Sequence, residues 1–156
     1  MGYPAGRWID TTEYEIASGI DRFHLGDYPY ALLTGLTAAV GYAQSIGIEN
    51  IAARNRTLGA YCRQALSQVQ GVYLYDAKQG LTGTVPFNLV RVAATDTVRI
   101  LEREGIVTCV INEAGALLGL RKFGQLELVR ASLHCFNTEL EVEHLAEVLT
   151  RTAYDS

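Results

Sequence analysis

The spacing of hydrophobic positions changes along this chain, and each change marks an element. In residues 31–45, Leu32, Leu33, Leu36, Val40 and Ala43 recur at helical spacing, which predicts a helix. Gly35, Ala38, Ala39 and Gly41 would let a neighbour pack close to it, and Gly47 breaks it. Residues 49–69 predict a second helix with a stripe of Ile51, Leu58, Cys62, Ala65, Leu66 and Val69. Arg54, Arg56, Arg63 and Gln64 are expected to face water, and Gly71 to provide the C-terminal cap.

Shorter, β-rich runs follow. Residues 72–75 read as a strand, 77–80 as a turn, and 84–92 as a second strand whose Pro86 places its start at an edge or bulge. Thr95 is expected to cap a short helix carrying Val98 and Leu101 that stops at Gly105. Residues 106–111 form a third strand, 112–124 a loop with a helical turn, and 126–132 a fourth strand. Thr138 and Glu141 make a T-x-x-E capping box ahead of Val142, Leu145, Val148 and Leu149 on one helical face. Residues 1–30, punctuated by Gly2, Pro4, Gly6, Gly26 and Pro29, read as an irregular arm laid on another surface, and 31–156 as one domain. The order of elements predicts an α/β (α+β) two-layer sandwich, a small mostly antiparallel sheet with helices packed on one face.

Composition narrows the class without naming a chemistry. Of 156 residues, 49% are hydrophobic and 19% charged, the balance of a chain with a packed core rather than a disordered one. A net charge of −4 without any Lys/Arg-rich run argues against nucleic acid as a partner. The longest apolar stretch, 31–43, is broken by Thr34, Gly35, Thr37 and Gly41 and is too short to span a bilayer. With no basic-then-apolar start, no signal peptide is expected. Cys62, Cys109 and Cys135 are far apart and form no C-x-x-C pair, so reduced thiols and a cytoplasmic location are expected.

Few residues are arranged for chemistry. His134 and Cys135 are neighbours and, on a strand, would point to opposite faces; His24 and His144 lack a ligand at chelating spacing, and no metal site is expected. His144 reads as a surface residue. No G-x-S-x-G elbow or glycine-rich phosphate loop occurs, and Cys62 and Cys109 lie in apolar runs typical of buried structural thiols. Arg130 stands out because it interrupts the apolar run Leu126, Leu128, Val129, Ala131 and Leu133. A guanidinium among half-buried residues calls for an anionic partner. That partner is either a ligand or one of the seventeen acidic residues of the chain.

The run Val129-Arg130-Ala131-Ser132, continuing through Phe136-Asn137-Thr138 to Glu139 and Glu141, resembles the closing motif of the class V aminotransferases and cysteine desulfurases. Arg22-Phe23 with Gly26 and the small-residue helix resembles that family's R-F-E-x-G-T segment. The stretch 46–51, with Leu58 and Gly71-Val72, resembles its next helix and strand, and Trp8 matches a Gly-Trp element of some members. The similarity covers about residues 22–150, with the motifs in the family's order.

This resemblance implies the C-terminal small domain of a fold-type I pyridoxal 5'-phosphate (PLP) enzyme that acts on an amino-acid substrate as a homodimer. The family's Schiff-base lysine belongs to a large domain. The only lysines here, Lys78 and Lys122, match no lysine motif, so the chain is expected to be an excised or truncated piece without catalytic residues of its own. The family role of the arginine falls on Arg130, as anchor of the substrate carboxylate. Where the family has Gly-Thr against the neighbouring subunit's PLP phosphate, this chain has Gly26-Asp27, which leaves Gly26 a backbone contact at most because a carboxylate repels phosphate. The related desulfurases carry a nucleophilic cysteine in the loop before the arginine strand; residues 112–124 contain none. Transamination, lyase or epimerase chemistry is therefore expected, the alternative being a free-standing, non-catalytic interaction module with this fold.

Overall fold

The computed structural model describes residues 5–23, 26, 29–76 and 82–154. The chain divides at Gly47 into two compact units, residues 1–46 and 47–156.

Alternation in the strands of the second unit builds a four-stranded sheet with one fully buried face. Its strands are β3 (Val72–Leu74), β4 (Thr84–Leu89), β5 (Cys109–Asn112) and β6 (Glu127–Ser132), all antiparallel in the order β3-β4-β6-β5. Val85, Phe87 and Leu89 of β4 meet Val129 and Ala131 of β6 on that face. Helices α2 (Ile48–Ser67), α3 (Ala94–Arg103) and α5 (Glu139–Tyr154) complete the core with Leu58, Cys62, Leu66, Leu101, Val142, Leu145, Val148 and Leu149. The α/β class and the small antiparallel sheet are as the pattern predicted.

Residues 112–124, expected to be a loop with a helical turn, form helix α4 (Glu113–Phe123). Ala116 is non-helical (φ −153°, ψ 44°), so the helix is kinked one turn in, which weakened its periodicity in the sequence. The end of α4 belongs to the sheet's other face. There Leu120 and Leu128 are buried outside the main core, Phe123 meets Tyr75 edge-to-face, and the Asn88 amide donates to Gln125 Oε1 and the Glu127 carbonyl.

Several local expectations are corrected. The caps differ from the reading in two places. Thr95 does not cap α3, which starts after Ala93 with no side-chain cap; the helix is instead closed at its far end, where Gly105 N–H donates to the Glu102 carbonyl and Ile106 N–H to that of Leu101. Gly71 does not end α2, which stops at Ser67. Its left-handed backbone (φ 86°) leads into β3, and its carbonyl accepts from Val90. Pro86 lies in a strand that is central in the sheet, yet β3 ends opposite Phe87. The missing N–H thus falls just past the end of β3, where Tyr75 still donates to the Pro86 carbonyl and proline has no N–H to return the bond. Arg54 and Arg63 do not point into water. Arg63 pairs with Asp76 and donates to the Thr82 and Thr84 carbonyls, with its side chain only 12% exposed.

In the first unit the arm is not wholly irregular. Strands β1 (Gly6–Trp8) and β2 (Tyr14–Ile16) form a hairpin, followed by a 3-10 turn at Gly19–Phe23 and helix α1 (Tyr30–Ile46). The Asp10 carboxylate accepts from the backbone of Thr12 and Glu13, which shapes the hairpin loop. Arg7 pairs with Glu15 and Trp8 meets Tyr14 edge-to-face across the strands. Three-residue strands without a buried face leave no alternation for the pattern to reveal. Among the described residues, no single helix is long and apolar enough to cross a membrane.

Candidate functional site

Strand β6 alternates in a way that isolates Arg130. Val129 and Ala131 are buried beneath the helices, so the side chain between them leaves from the opposite face, where it is exposed. In register it is flanked by Pro86 on β4 and Cys109 on β5. No ion pair or hydrogen bond joins its guanidinium to another described residue, whereas Arg54, Arg63 and Arg151 all have carboxylate partners. Of the two partners the sequence left open, an internal carboxylate is therefore not found among the described residues. A rigid strand presents a charged fork to the outside, suited to paired hydrogen bonds with a carboxylate or phosphate.

The turn that follows is tightly tied. Asn137 Oδ1 accepts from His134 N–H at 2.8 Å, and the Asn137 N–H returns to the His134 carbonyl at 2.9 Å. Thr138 N–H donates to the Glu141 carboxylate at 2.7 Å and Glu141 N–H to Thr138 Oγ1 at 3.3 Å, the capping box read from the sequence. The backbone hydrogen bond from Thr138, then the amide of Asn137, hold the Glu141 carboxyl below the ordinary carboxylate range. Arg54 from α2 clamps the same turn. It holds Glu139 with both terminal nitrogens and donates to the Asn137 carbonyl at 2.9 Å, which lowers the Glu139 carboxyl to about 2. Together these bonds fix where β6 ends and α5 begins, and hence where Arg130 stands.

One grouping was missed. His134 and Cys135 lie beyond the end of β6, in the turn, and so escape the alternation of a strand; Cys135 Sγ is 3.2 Å from His134 Nδ1. His134 stacks on Phe136, with ring centroids 4.9 Å apart. The sequence signal that could have found the pair is the Phe-Asn-Thr turn, which ends the strand at Ser132. Cys109 is half-buried rather than enclosed, whereas Cys62 is fully buried and burial pushes its thiol up to about 11.

The other expected site residues are dispersed. Gly26 belongs to the first unit with φ 86°, a backbone suited to glycine; Asp27 and His24 lie outside the described residues, as does Lys78. Lys122 stands exposed in the last turn of α4. His144 is exposed and within 3.3 Å of the Glu104 carbonyl. Among the described residues, no three His, Cys, Asp or Glu side chains are grouped to hold a metal.

Comparison with known proteins bears on both sequence and shape. The profile of the class V aminotransferases matches residues 5–145. The cysteine desulfurase of Cronobacter sakazakii is 34% identical over 130 residues, 83% of this chain and 32% of its own length. That of Salmonella typhimurium is 33% identical over 130 residues with the same coverage. Among solved structures, the apo cysteine desulfurase of Thermococcus onnurineus NA1 matches with a TM-score of 0.78 at 24% identity, over 100% of this chain and 39% of its own. A cystine C-S lyase, solved with its reaction product cysteine persulfide, gives a TM-score of 0.65 at 22% identity over 96% of this chain and 37% of its own. The chain thus spans about a third of the length of the curated relatives it matches.

Proposed function

The chain belongs to the class V aminotransferase family, and from that premise we propose that it is the C-terminal small domain of a PLP-dependent enzyme acting on an amino acid. In this reading Arg130 binds the α-carboxylate of the substrate. The observation that carries it is the exposed guanidinium on a strand whose neighbours on either side are buried, with no carboxylate partner among the described residues. An arginine kept for structure would be expected to pair, as Arg54 and Arg63 do.

The described residues do not form a cofactor site by themselves. Their one lysine, Lys122, is exposed at the end of α4, and Gly26 offers a backbone N–H and no side chain. PLP, held by a large domain and by a second subunit of a homodimer, would supply the electron sink. What this chain contributes is orientation. A two-pronged contact fixes the rotation of the substrate about its Cα–N bond, which sets the direction of the bond that must break, and the tied turn at 134–141 keeps the fork still.

The curated relatives are named cysteine desulfurases, yet residues 112–124 carry no thiol, and Cys109 precedes them on β5. That favours transamination, or lyase or epimerase chemistry, over desulfuration through a cysteine of that segment. The 156-residue chain alone is expected to be inactive and to give no saturable absorbance change on titration with PLP; stoichiometric binding would contradict the assignment of the pocket elsewhere.

The direct test uses the full-length protein. Arg130→Ala is expected to raise KM for the amino acid by about 100-fold, the loss of paired charge-assisted hydrogen bonds of about 3 kcal/mol in total. Arg130→Lys should recover only part of this, since an ammonium cannot make the fork. An unchanged KM in both variants removes Arg130 from the substrate site.

A further inference from the structure

We propose that Cys135 is a reactive thiol that undergoes exchange with small disulfides of the glutathione class, with His134 as its proton acceptor. The pair is independent of Arg130 and of the reaction proposed above. Cys135 Sγ is 3.2 Å from His134 Nδ1, within reach for transfer of the thiol proton to the ring. His134 is exposed and Cys135 partly so, which leaves room for a disulfide to approach, in contrast with fully buried Cys62. The imidazole is held in place from two sides, by its stack on Phe136 and by the reciprocal bonds between its backbone and Asn137.

A thiol beside an imidazole and partly open to solvent has the environment in which cysteines react selectively. Cys109 lies opposite Arg130 on the edge strand β5 and, unlike Cys135, has no hydrogen bond to an imidazole among the described residues.

The step is balanced without a further reagent. The thiol proton passes to His134 Nδ1, the Cys135 sulfur attacks one sulfur of the disulfide, and a new S–S bond forms as the old one breaks. The departing thiolate takes the proton back from the imidazolium or from water. The modification would sit on the turn joining the Arg130 strand to α5, five residues from the arginine itself.

The test is incubation of the chain with glutathione disulfide near neutral pH, followed by intact-mass and peptide analysis over time. Cys135 is expected to gain one glutathione about tenfold faster than Cys109 or a free model thiol, with Cys62 unreactive and dithiothreitol reversing the change. His134→Gln should slow Cys135 to the rate of the model thiol; an unchanged rate in that variant, or a parent rate no faster than the model thiol, overturns the proposal. If the variant does not fold, the parent decides. The expected outcome is the faster gain at Cys135, and a parent rate no faster than that of the model thiol overturns the proposal.

Discussion

Charged side chains on α2 show how far a residue's role can depart from its place in a helical pattern. Arg54 and Arg63 occupy polar positions, yet each is turned to hold another segment, Arg54 the turn before α5 and Arg63 the chain at Asp76, Thr82 and Thr84. The clamp on Glu139 has a pH signature. Its carboxyl is at about 2 in the fold against an ordinary 4.5, because Arg54 donates hydrogen bonds to the charged form. A folded value below the unfolded one stabilises above pH 4.5, and that contribution disappears as pH falls through about 2. Both partners are partly exposed, so solvent and salt screen the effect. Urea unfolding measured from about pH 6 down to about pH 2 should therefore be less pH-dependent in Glu139→Gln than in the parent. Parallel curves for the two proteins would mean that the pair contributes nothing.

Elements are set by their ends and by the points where they approach one another. The capping box of α5 was legible because its two residues are local in sequence, and Thr138→Ala is expected to cost about 1 kcal/mol in chemical denaturation. The closing glycine of α3 was equally legible, and the structure adds the two hydrogen bonds that make it work. Gly59 was not. It is buried in the middle of α2, where a Cβ would collide with the Thr82 carbonyl oxygen and approach Gly83, so the helix and the start of β4 touch only because this residue has no side chain. Gly59→Ala, which should favour an isolated helix, is expected instead to destabilise the fold by about 1–3 kcal/mol through overpacking. A rise in stability for that variant would show the segment at residue 82 to be yielding. Nothing in the spacing of α2 identifies such a position, since the collision partner is more than twenty residues away.

At the scale of the whole molecule, the second unit has a continuous core while the first exposes much of its apolar surface. Phe87, Leu58 and Leu149 are fully buried, whereas Leu32 is 71% exposed, Leu36 60% and Tyr42 71% along α1. A helix with that much unpartnered apolar surface promotes association. Sedimentation of the isolated chain is accordingly expected to show self-association that strengthens with concentration, and replacing Leu32 and Leu36 by polar residues should weaken it. A strict monomer at high concentration would contradict this. Phe87→Ala, in the core of the other unit, should cost about 3–5 kcal/mol of stability while leaving that association surface untouched.

The helices from residue 31 to 67, the strand alternation around residues 84–89 and 127–132, the T-x-x-E cap and the odd position of Arg130 were all written in local spacing, because period and capping depend on residues a few positions apart. The hairpin at Gly6–Trp8 and Tyr14–Ile16, the helix at Glu113–Phe123, the reach of Arg54 and Arg63 and the meeting of His134 with Cys135 were not. These depend on where a strand stops or on what lies across the fold, and such contacts leave no period in the chain. Sequence therefore determined which arginine was unusual. Only the tertiary arrangement decided that it stands exposed, without a carboxylate partner among the described residues, because burial on one face of the sheet compels the alternate side chain to the other.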